Sequence, residues 1–171
     1  MVREKSDGRM DTREKTLGRD ALIARLEQHR AAGDRVVLAN GCFDLLHVGH
    51  VRYLAGALLE GDVLVVAVNA DSTVRALKGE GRPILPAEAR AQLVAAVGAV
   101  SYVTIFDEPD VAALLRILRP DVHAKGTDYT VDTVPEVEIA RELGVRVAIV
   151  GDAKEHSTRE LLSRLQRLPH V

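Results

Sequence analysis

The chain has 171 residues, of which 47% are hydrophobic and 28% are charged, and its formal net charge is -2. These values are typical of one globular domain, and the small negative charge argues against binding nucleic acid through overall charge. The sequence contains two Phe, three Tyr and no Trp, so we do not expect a base-stacking surface for single-stranded nucleic acid.

The N-terminal segment is charged and contains no apolar stretch like that of a secretory signal. No apolar run in the sequence approaches the roughly 20 residues that a membrane-spanning helix needs. The single cysteine, Cys42, allows no internal disulfide and fits a reducing cytoplasm. We therefore expect a cytoplasmic protein without a membrane partner, with a flexible arm at residues 1–18 and one domain at residues 19–171.

Apolar runs rich in β-branched residues alternate with segments of helical period. Leu22 and Leu26 predict a helix that precedes the first strand. Apolar residues spaced i, i+3, i+4 and i+7 predict three later helices, and Thr133 and Glu136 are spaced for a capping box. The predicted strands lie at 36–39, 63–68, 100–105, 121–124 and 145–150, and the three later helices at 51–58, 111–118 and 161–168.

The strand runs are continuous rather than alternating, which indicates a sheet that is covered on both faces. Strand and helix alternation further predicts parallel pairing with right-handed crossovers. We therefore expect a Rossmann-like, doubly wound α/β domain with five parallel strands. Ligands of such sheets bind beyond the carboxyl ends of the strands, where segments 40–50, 69–82, 125–129 and 151–159 follow four of the five strands.

Two histidines, His47 and His50, stand where the helix after the first strand should begin. A helix N-terminus presents unpaired N–H groups and a positive dipole, and Gly49 would let a phosphate approach the backbone. Two imidazoles one turn apart could both donate to phosphate oxygens during phosphoryl transfer. Two alternatives remain, a metal-binding pair or incidental surface histidines, although no third ligand with zinc-like spacing is evident.

The segment NGCFDLLHVGHVRYL resembles the HxGH signature of the nucleotidyltransferase superfamily, with the expected strand before it and helix after it. Three further segments are similar, in order, to the adenylyltransferase domains of ADP-heptose synthases: GDVLVVAVNADSTVRALKGEGRPILPAEAR, HAKGTDY and HSTRELL. The resemblance implies transfer of AMP from ATP to D-glycero-β-D-manno-heptose 1-phosphate, with Mg²⁺ accompanying ATP. It also implies a role in lipopolysaccharide precursor synthesis, a separate heptose kinase in the pathway, and a homo-oligomer.

The same resemblance implies a role for each matching residue. Catalysis is assigned to His47, His50 and Lys78. Nucleotide binding is assigned to Asn40, Gly41, Cys42, Phe43, Asp44, Gly49, Lys125, Gly126, Asp128, Ser157 and Thr158. Contact with the acceptor phosphate or sugar is assigned to Asp71, Arg82 and Arg90, and no metal ligand is assigned to the protein.

Several of these residues also have plain structural interpretations. Asp44 could form a local turn bond, Asp71 could cap the segment 72–77, and Arg90 could make a surface ion pair. Lys78, Arg82 and Lys125 could be ordinary solvated charges. Ser157 and Glu160 fit a capping box, and Arg159 departs from the Ser-Thr-Thr or Ser-Ser-Thr that is common in the last motif of the superfamily.

Three other functions compete with the adenylyltransferase. A cytidylyltransferase acting on glycerol 3-phosphate or a related alcohol phosphate would use the same histidine pair. A nucleotide-binding regulator without catalysis is disfavoured by the intact His47, Gly49, His50 and Lys78. A dinucleotide-dependent oxidoreductase is disfavoured because no GxGxxG follows the first strand.

Overall fold

The computed structural model describes residues 11–152 and 158–167 and confirms the predicted α/β fold. A single sheet of five parallel strands lies between two layers of helices. The strands are β1 Val36–Gly41, β2 Val63–Asn69, β3 Tyr102–Phe106, β4 Val122–Gly126 and β5 Arg146–Val150. The helices are α1 Thr12–Lys15, α2 Arg19–Ala32, α3 Val48–Leu58, α4 Asp71–Lys78, α5 Ala87–Ala95, α6 Ala112–Leu118, α7 Val137–Glu142 and α8 Thr158–Gln166.

The strand order is β3-β2-β1-β4-β5, and every neighbouring pair is parallel. The chain therefore winds outward from β1 in one direction to β3 and then in the other direction to β5. In open sheets of this kind a crevice forms where the winding changes direction, here between the carboxyl ends of β1 and β4. The strand order alone therefore predicts that a ligand binds at the carboxyl ends of β1 and β4.

Both faces of the sheet are apolar, as the continuous strand runs predict. Leu54 of α3 and Val94 of α5 pack on one face, together with Val37 and Val66 of the central strands. The second face is covered by α2, α6 and α7, with Leu22 among its buried residues. Each fully buried Val or Leu stabilises the fold by about 1.5–3 kcal/mol relative to exposure, so these two layers supply the main folding energy.

Four of the five strands, β1 to β4, end one or two residues later than the apolar runs that predict them. Gly41 pairs with Val68, Asn69 with Phe106 and Gly126 with Val150, so the parallel ladder continues after β-branched residues have ended. Backbone hydrogen bonds hold these positions although their side chains are polar or absent. Several predicted site residues therefore belong to the sheet rather than to loops.

The part of the predicted arm that the structure describes packs on the domain. Lys15 Nζ donates to the carbonyl oxygens of Ala95 and Val100, at 3.2 and 2.8 Å. The N–H of Leu17 donates to Val103 O at 2.8 Å, which joins this segment to β3. The predicted boundary at residue 18 is therefore too late, because a capped helical turn and a strand bridge tie these residues down.

The capping box predicted from Thr133 and Glu136 is wrong. Thr133 closes a short 3₁₀ helix and bonds to Thr130, and Glu136 makes an ion pair with Lys125 instead. Among the residues that the structure describes, no helix is long and apolar enough to span a membrane.

Candidate active site

A cleft of about 1280 Å³ opens at the carboxyl edge of the sheet. All four segments that sequence analysis places after the strands contribute to it. The β4 wall, on the side of β4 and β5, includes Asn40, Lys125, Tyr129 and Glu136. The β2 wall, on the side of β2 and β3, includes Asn69, Lys78, Arg82 and Phe106.

His47 and His50 lie between the two walls at the beginning of α3. Their ring centroids are 3.9 Å apart, and both rings line the cleft. The backbone N–H of His47 donates to His50 Nδ1 at 3.3 Å, so in the neutral ring the proton lies on Nε2. Gly49 lies in the same first helical turn and also lines the cleft. The arrangement combines two imidazoles with a helix N-terminus, which is the geometry the phosphate hypothesis requires.

The loop that leads from β1 to these histidines has an unusual backbone. Phe43 and Leu45 both have positive φ, 49° and 58°, a region that costs residues with a Cβ about 1–2 kcal/mol each. A Cβ on Gly41 would come within 3.1 Å of the Phe43 ring, so only glycine fits there without displacement. The Phe43 ring in turn packs against His50, with 5.3 Å between the centroids.

Asp44 fixes this loop to the next one. Its buried carboxylate accepts hydrogen bonds from the N–H groups of Ile84, at 3.0 Å, and Leu85, at 3.2 Å. The same carboxylate pairs with Arg82 at 2.7 Å. Asp44 therefore connects two loops rather than closing a turn within its own. Its side chain is engaged by protein groups, and its contact with the nucleotide stays a prediction.

Arg90 is buried and is not part of a surface ion pair, while its contact with the acceptor phosphate stays a prediction. Its side chain is 0% exposed, and its guanidinium donates to Cys42 O at 2.5 Å and Leu85 O at 2.9 Å. It also pairs with Asp71 at 2.6 Å. Asp71 is the first residue of α4 and its carboxylate turns to Arg90, so it does not cap that helix.

A second ionic cluster is buried in the β4 wall. Lys125, which is 7% exposed, lies 3.3 Å from Glu136 and donates to Asn40 Oδ1 at 3.3 Å. His123 Nε2 is 3.2 Å from the same oxygen, and burial followed by the charge of Lys125 lowers the pKa of His123 to about 3. Lys125 is therefore not a solvated surface charge, and His123 is neutral with its proton on Nε2.

The remaining predicted residues have diverse surroundings. Lys78 is exposed at the end of α4 and lines the cleft, as do Gly126 and Asp128. Burial raises the pKa of Cys42, which disfavours its thiolate and any role as a nucleophile. Thr158 begins α8 and donates to Asp44 O at 2.9 Å, whereas Ser157 lies outside the described residues.

Three residues that sequence reasoning did not assign also line the cleft. Asn69 ends β2, Glu136 neutralises Lys125, and the hydroxyl of Tyr53 donates to Ala124 O at 2.8 Å. The Asn69 signal was visible, since it is the polar end of an otherwise apolar strand. No local pattern pairs Glu136 with Lys125, because that contact depends on the path of the chain after β4. Within the described ranges, no three His, Cys, Asp or Glu side chains form a possible metal site.

Comparisons with known proteins agree with this geometry. The model of the cytidylyltransferase-like family matches residues 38–167. The bifunctional protein HldE of Geobacter sulfurreducens is 43% identical over 158 residues, which are 92% of this chain and 32% of that protein. HldE of Azotobacter vinelandii is 42% identical, over 90% of this chain and 32% of that protein. The chain thus spans about a third of the length of these curated relatives.

A solved structure has the same architecture. It is the crystal structure of the lipopolysaccharide core biosynthesis protein from Thermoplasma volcanium GSS1, with a TM-score of 0.61 and 28% sequence identity. The match covers 71% of this chain and 100% of that chain.

Proposed function

The chain belongs to the cytidylyltransferase-like family of nucleotidyltransferases, and from this premise we propose that it transfers AMP from ATP to D-glycero-β-D-manno-heptose 1-phosphate. The observation that carries the proposal is the pair of imidazoles, 3.9 Å apart, at a helix N-terminus in the cleft. The similarity to HldE and to a lipopolysaccharide core biosynthesis protein supports a heptose acceptor and a role in making lipopolysaccharide precursors.

In the proposed reaction an oxygen of the sugar 1-phosphate attacks the α-phosphorus of ATP in line. The new bond joins that oxygen to the α-phosphorus, the bond from the α-phosphorus to the bridging oxygen breaks, and pyrophosphate leaves with the electron pair. No covalent enzyme intermediate is needed, so positioning and charge stabilisation supply the catalysis. His47, His50 and the first N–H groups of α3 would stabilise the charge that develops on the phosphate oxygens.

The positive side chains of the β2 wall have a complementary role in this proposal. Lys78 reaches the cleft from the end of α4, and Arg82 lies opposite Asp44. Arg82 Nε is buried and has no hydrogen-bond partner among the described residues. We propose that Lys78 neutralises the triphosphate and that Arg82 contacts the acceptor phosphate.

Magnesium enters the proposal with the nucleotide. Mg²⁺ bound with the nucleotide would neutralise part of the charge of its phosphates, as in other phosphoryl transfers. The phosphate oxygens would supply most of its ligands, since the part of the chain that the structure describes contains no cluster suited to a resident metal.

Two further expectations belong to the proposal. We expect a separate kinase to supply the heptose 1-phosphate, and we expect the protein to act in the cytoplasm as a homo-oligomer. Light scattering of the purified chain measures the oligomeric state directly, and a monomeric mass at assay concentration would contradict that expectation.

A second candidate function is favoured by the family description, since cytidylyltransferases share this fold and histidine pair. Pyrophosphate release should be measured with ATP and with CTP, each paired with heptose 1-phosphate and with glycerol 3-phosphate. We expect turnover with ATP and the heptose. Turnover with CTP alone would replace this proposal with a cytidylyltransferase acting on an alcohol phosphate.

The catalytic role of the histidine pair needs its own variant. His50→Ala removes one donor to the developing charge, and such a loss lowers kcat by about 10²–10³. Because His50 lies at the cleft surface, the melting temperature should change little. Activity close to that of the wild type would remove His50 from the mechanism. His29→Ala is the control: it also removes an imidazole, but one that does not line the cleft, and it should leave kcat unchanged.

A further inference from the structure

Asn69 is the polar end of an apolar strand. The six residues before it in β2, VLVVAV, are all buried, and Asn69 itself is only 5% exposed. It pairs in register with Phe106 of β3 and lines the cleft. A buried amide at this position needs an explanation, since the preceding positions of the strand are occupied by apolar residues.

The protein itself provides little for this amide. Its one contact among the described residues is a weak one, with Cys42 Sγ 3.9 Å from Asn69 Oδ1. The amide nitrogen, with two N–H donors, has no hydrogen-bond partner in that part of the chain. This nitrogen is not among the fully buried side-chain atoms that lack a partner in the described residues, so it is accessible from the cleft. A group that enters the cleft can therefore accept a hydrogen bond from it without displacing a protein partner.

Asn40 provides an internal comparison. It is also an asparagine at the carboxyl end of a strand and also lines the cleft. Its Oδ1, however, is contacted by Lys125 and His123, at 3.3 and 3.2 Å. The two residues thus differ at the amide oxygen, which in Asn40 is engaged by two side chains of β4 and in Asn69 has only the weak contact with Cys42.

The chemistry of the β2 wall limits what Asn69 can bind. Lys78 and Arg82 supply the positive charge for phosphate groups, while Phe106 and Val111 are apolar. A neutral amide both donates and accepts, which matches the hydroxyl group of a sugar better than a phosphate oxygen. Resting on the function proposed above, we propose that Asn69 hydrogen-bonds a hydroxyl of the acceptor sugar phosphate and helps to select that acceptor.

The experiment compares steady-state kinetics of the full chain and its variants. Asn69→Leu keeps the branched shape of the side chain and removes both hydrogen-bonding groups, and Asn69→Ser is a smaller second variant in case the first folds poorly. We expect KM for the sugar 1-phosphate to rise by about tenfold to a hundredfold, with KM for ATP changed less than twofold. Thr104→Val, a buried substitution in neighbouring β3 that does not line the cleft, should leave both constants unchanged.

Deoxy analogues of the acceptor show whether the contact is a hydroxyl bond. A monodeoxy sugar 1-phosphate that lacks the contacted hydroxyl should bind the wild type less well but should bind Asn69→Leu as well as the complete sugar does. If every deoxy sugar weakens binding equally in wild type and variant, or if the variant raises KM for ATP as much as for the acceptor, the inference is overturned.

Failure of the inference is distinguishable from failure of the proposed function. A wild-type enzyme that turns over sugar phosphate while Asn69→Leu keeps its acceptor KM ends the inference alone. A wild-type enzyme that releases no pyrophosphate with any sugar phosphate ends the proposed function, and the inference fails with it.

Discussion

The two walls of the cleft are built in different ways. In the β4 wall, Lys125 and Asn40 are strand residues, and Lys125 contacts both Asn40 and Glu136. In the β2 wall, the segment after α4 has no regular structure, and buried charges hold its main chain. The shape of the β4 wall is determined by the strands of the sheet, whereas the conformation of the β2 wall depends on a few ionic contacts.

This difference indicates where the site is sensitive to substitution. Arg90 and Asp44 both join the loop after β1 to the loop after α4. Arg90 donates to a carbonyl oxygen of each loop, and Asp44, which lies in the first loop, accepts from N–H groups of the second. The loop they hold contains Phe43 and Leu45, whose positive φ values store strain. Loss of either charge should therefore affect the shape of the cleft as well as the stability of the domain.

The largest expected effect is that of Arg90→Met. The variant leaves the Asp71 carboxylate and the carbonyl groups of Cys42 and Leu85 without their buried donor. The Asp71 side chain is 38% exposed, so most of the cost comes from the two carbonyl groups that lose their donor, about 1–3 kcal/mol each, which urea denaturation would measure as the free energy of unfolding. We also expect kcat to fall, since the loop that leads to the histidines loses its anchor.

A surface arginine provides the matched control for that variant. Arg141 pairs with Glu138 at 2.8 Å, and both side chains are largely exposed. Arg141→Met should change the free energy of unfolding by less than about 0.5 kcal/mol. Equal destabilisation by the two variants would show that the buried network does not determine the stability of the β2 wall.

The β4 wall has a pH dependence of its own, and this is the second largest effect. His123 has a folded pKa of about 3 against an ordinary value of 6.5, so between these values the unfolded chain binds a proton that the folded chain does not. Stability therefore falls as the pH is lowered through this window, by about 2 kcal/mol between pH 6.5 and 4.5. His123→Leu should lack this contribution, and identical pH profiles of unfolding for variant and wild type would refute the assignment.

The smallest expected effect tests how α3 is attached to the β4 wall. Tyr53→Phe removes one hydrogen bond, from the tyrosine hydroxyl to Ala124 O, and keeps the ring. Loss of a single buried bond of this kind costs about 1 kcal/mol. Thermal unfolding should show a correspondingly small decrease, and a loss as large as that of Arg90→Met would mean that α3 is held mainly by this contact.

Most of the fold was predictable because it follows from hydrophobic periodicity. The runs at 63–68 and 145–150 became β2 and β5 within one residue, and the parallel order follows from strand and helix alternation. The attachment of Lys15 and Leu17 was not predictable, because it uses backbone partners that are 80 residues or more away. Contacts that are distant in sequence leave no local pattern.

The candidate site was predictable only where chemistry and position coincide. The position of His47 and His50 was predictable, because the sequence predicts a strand before them and a helix after them, which places both at the beginning of that helix. Arg90 could not be read in the same way, because its sequence neighbours give no sign that three acceptors surround it in the fold. Whether a charged side chain is buried depends on elements that are distant in the sequence, so it can be determined only from the folded structure.

The short bridge between Leu17 and Val103 has a consequence for the handling of the protein. β3 is an outer strand, and the segment before α2 occupies hydrogen-bonding groups on its free side. An unprotected outer strand is a template on which a second molecule can add its own strand and begin to aggregate. Variants that start after Leu17 would uncover this template, and we expect them to aggregate more readily than the full chain.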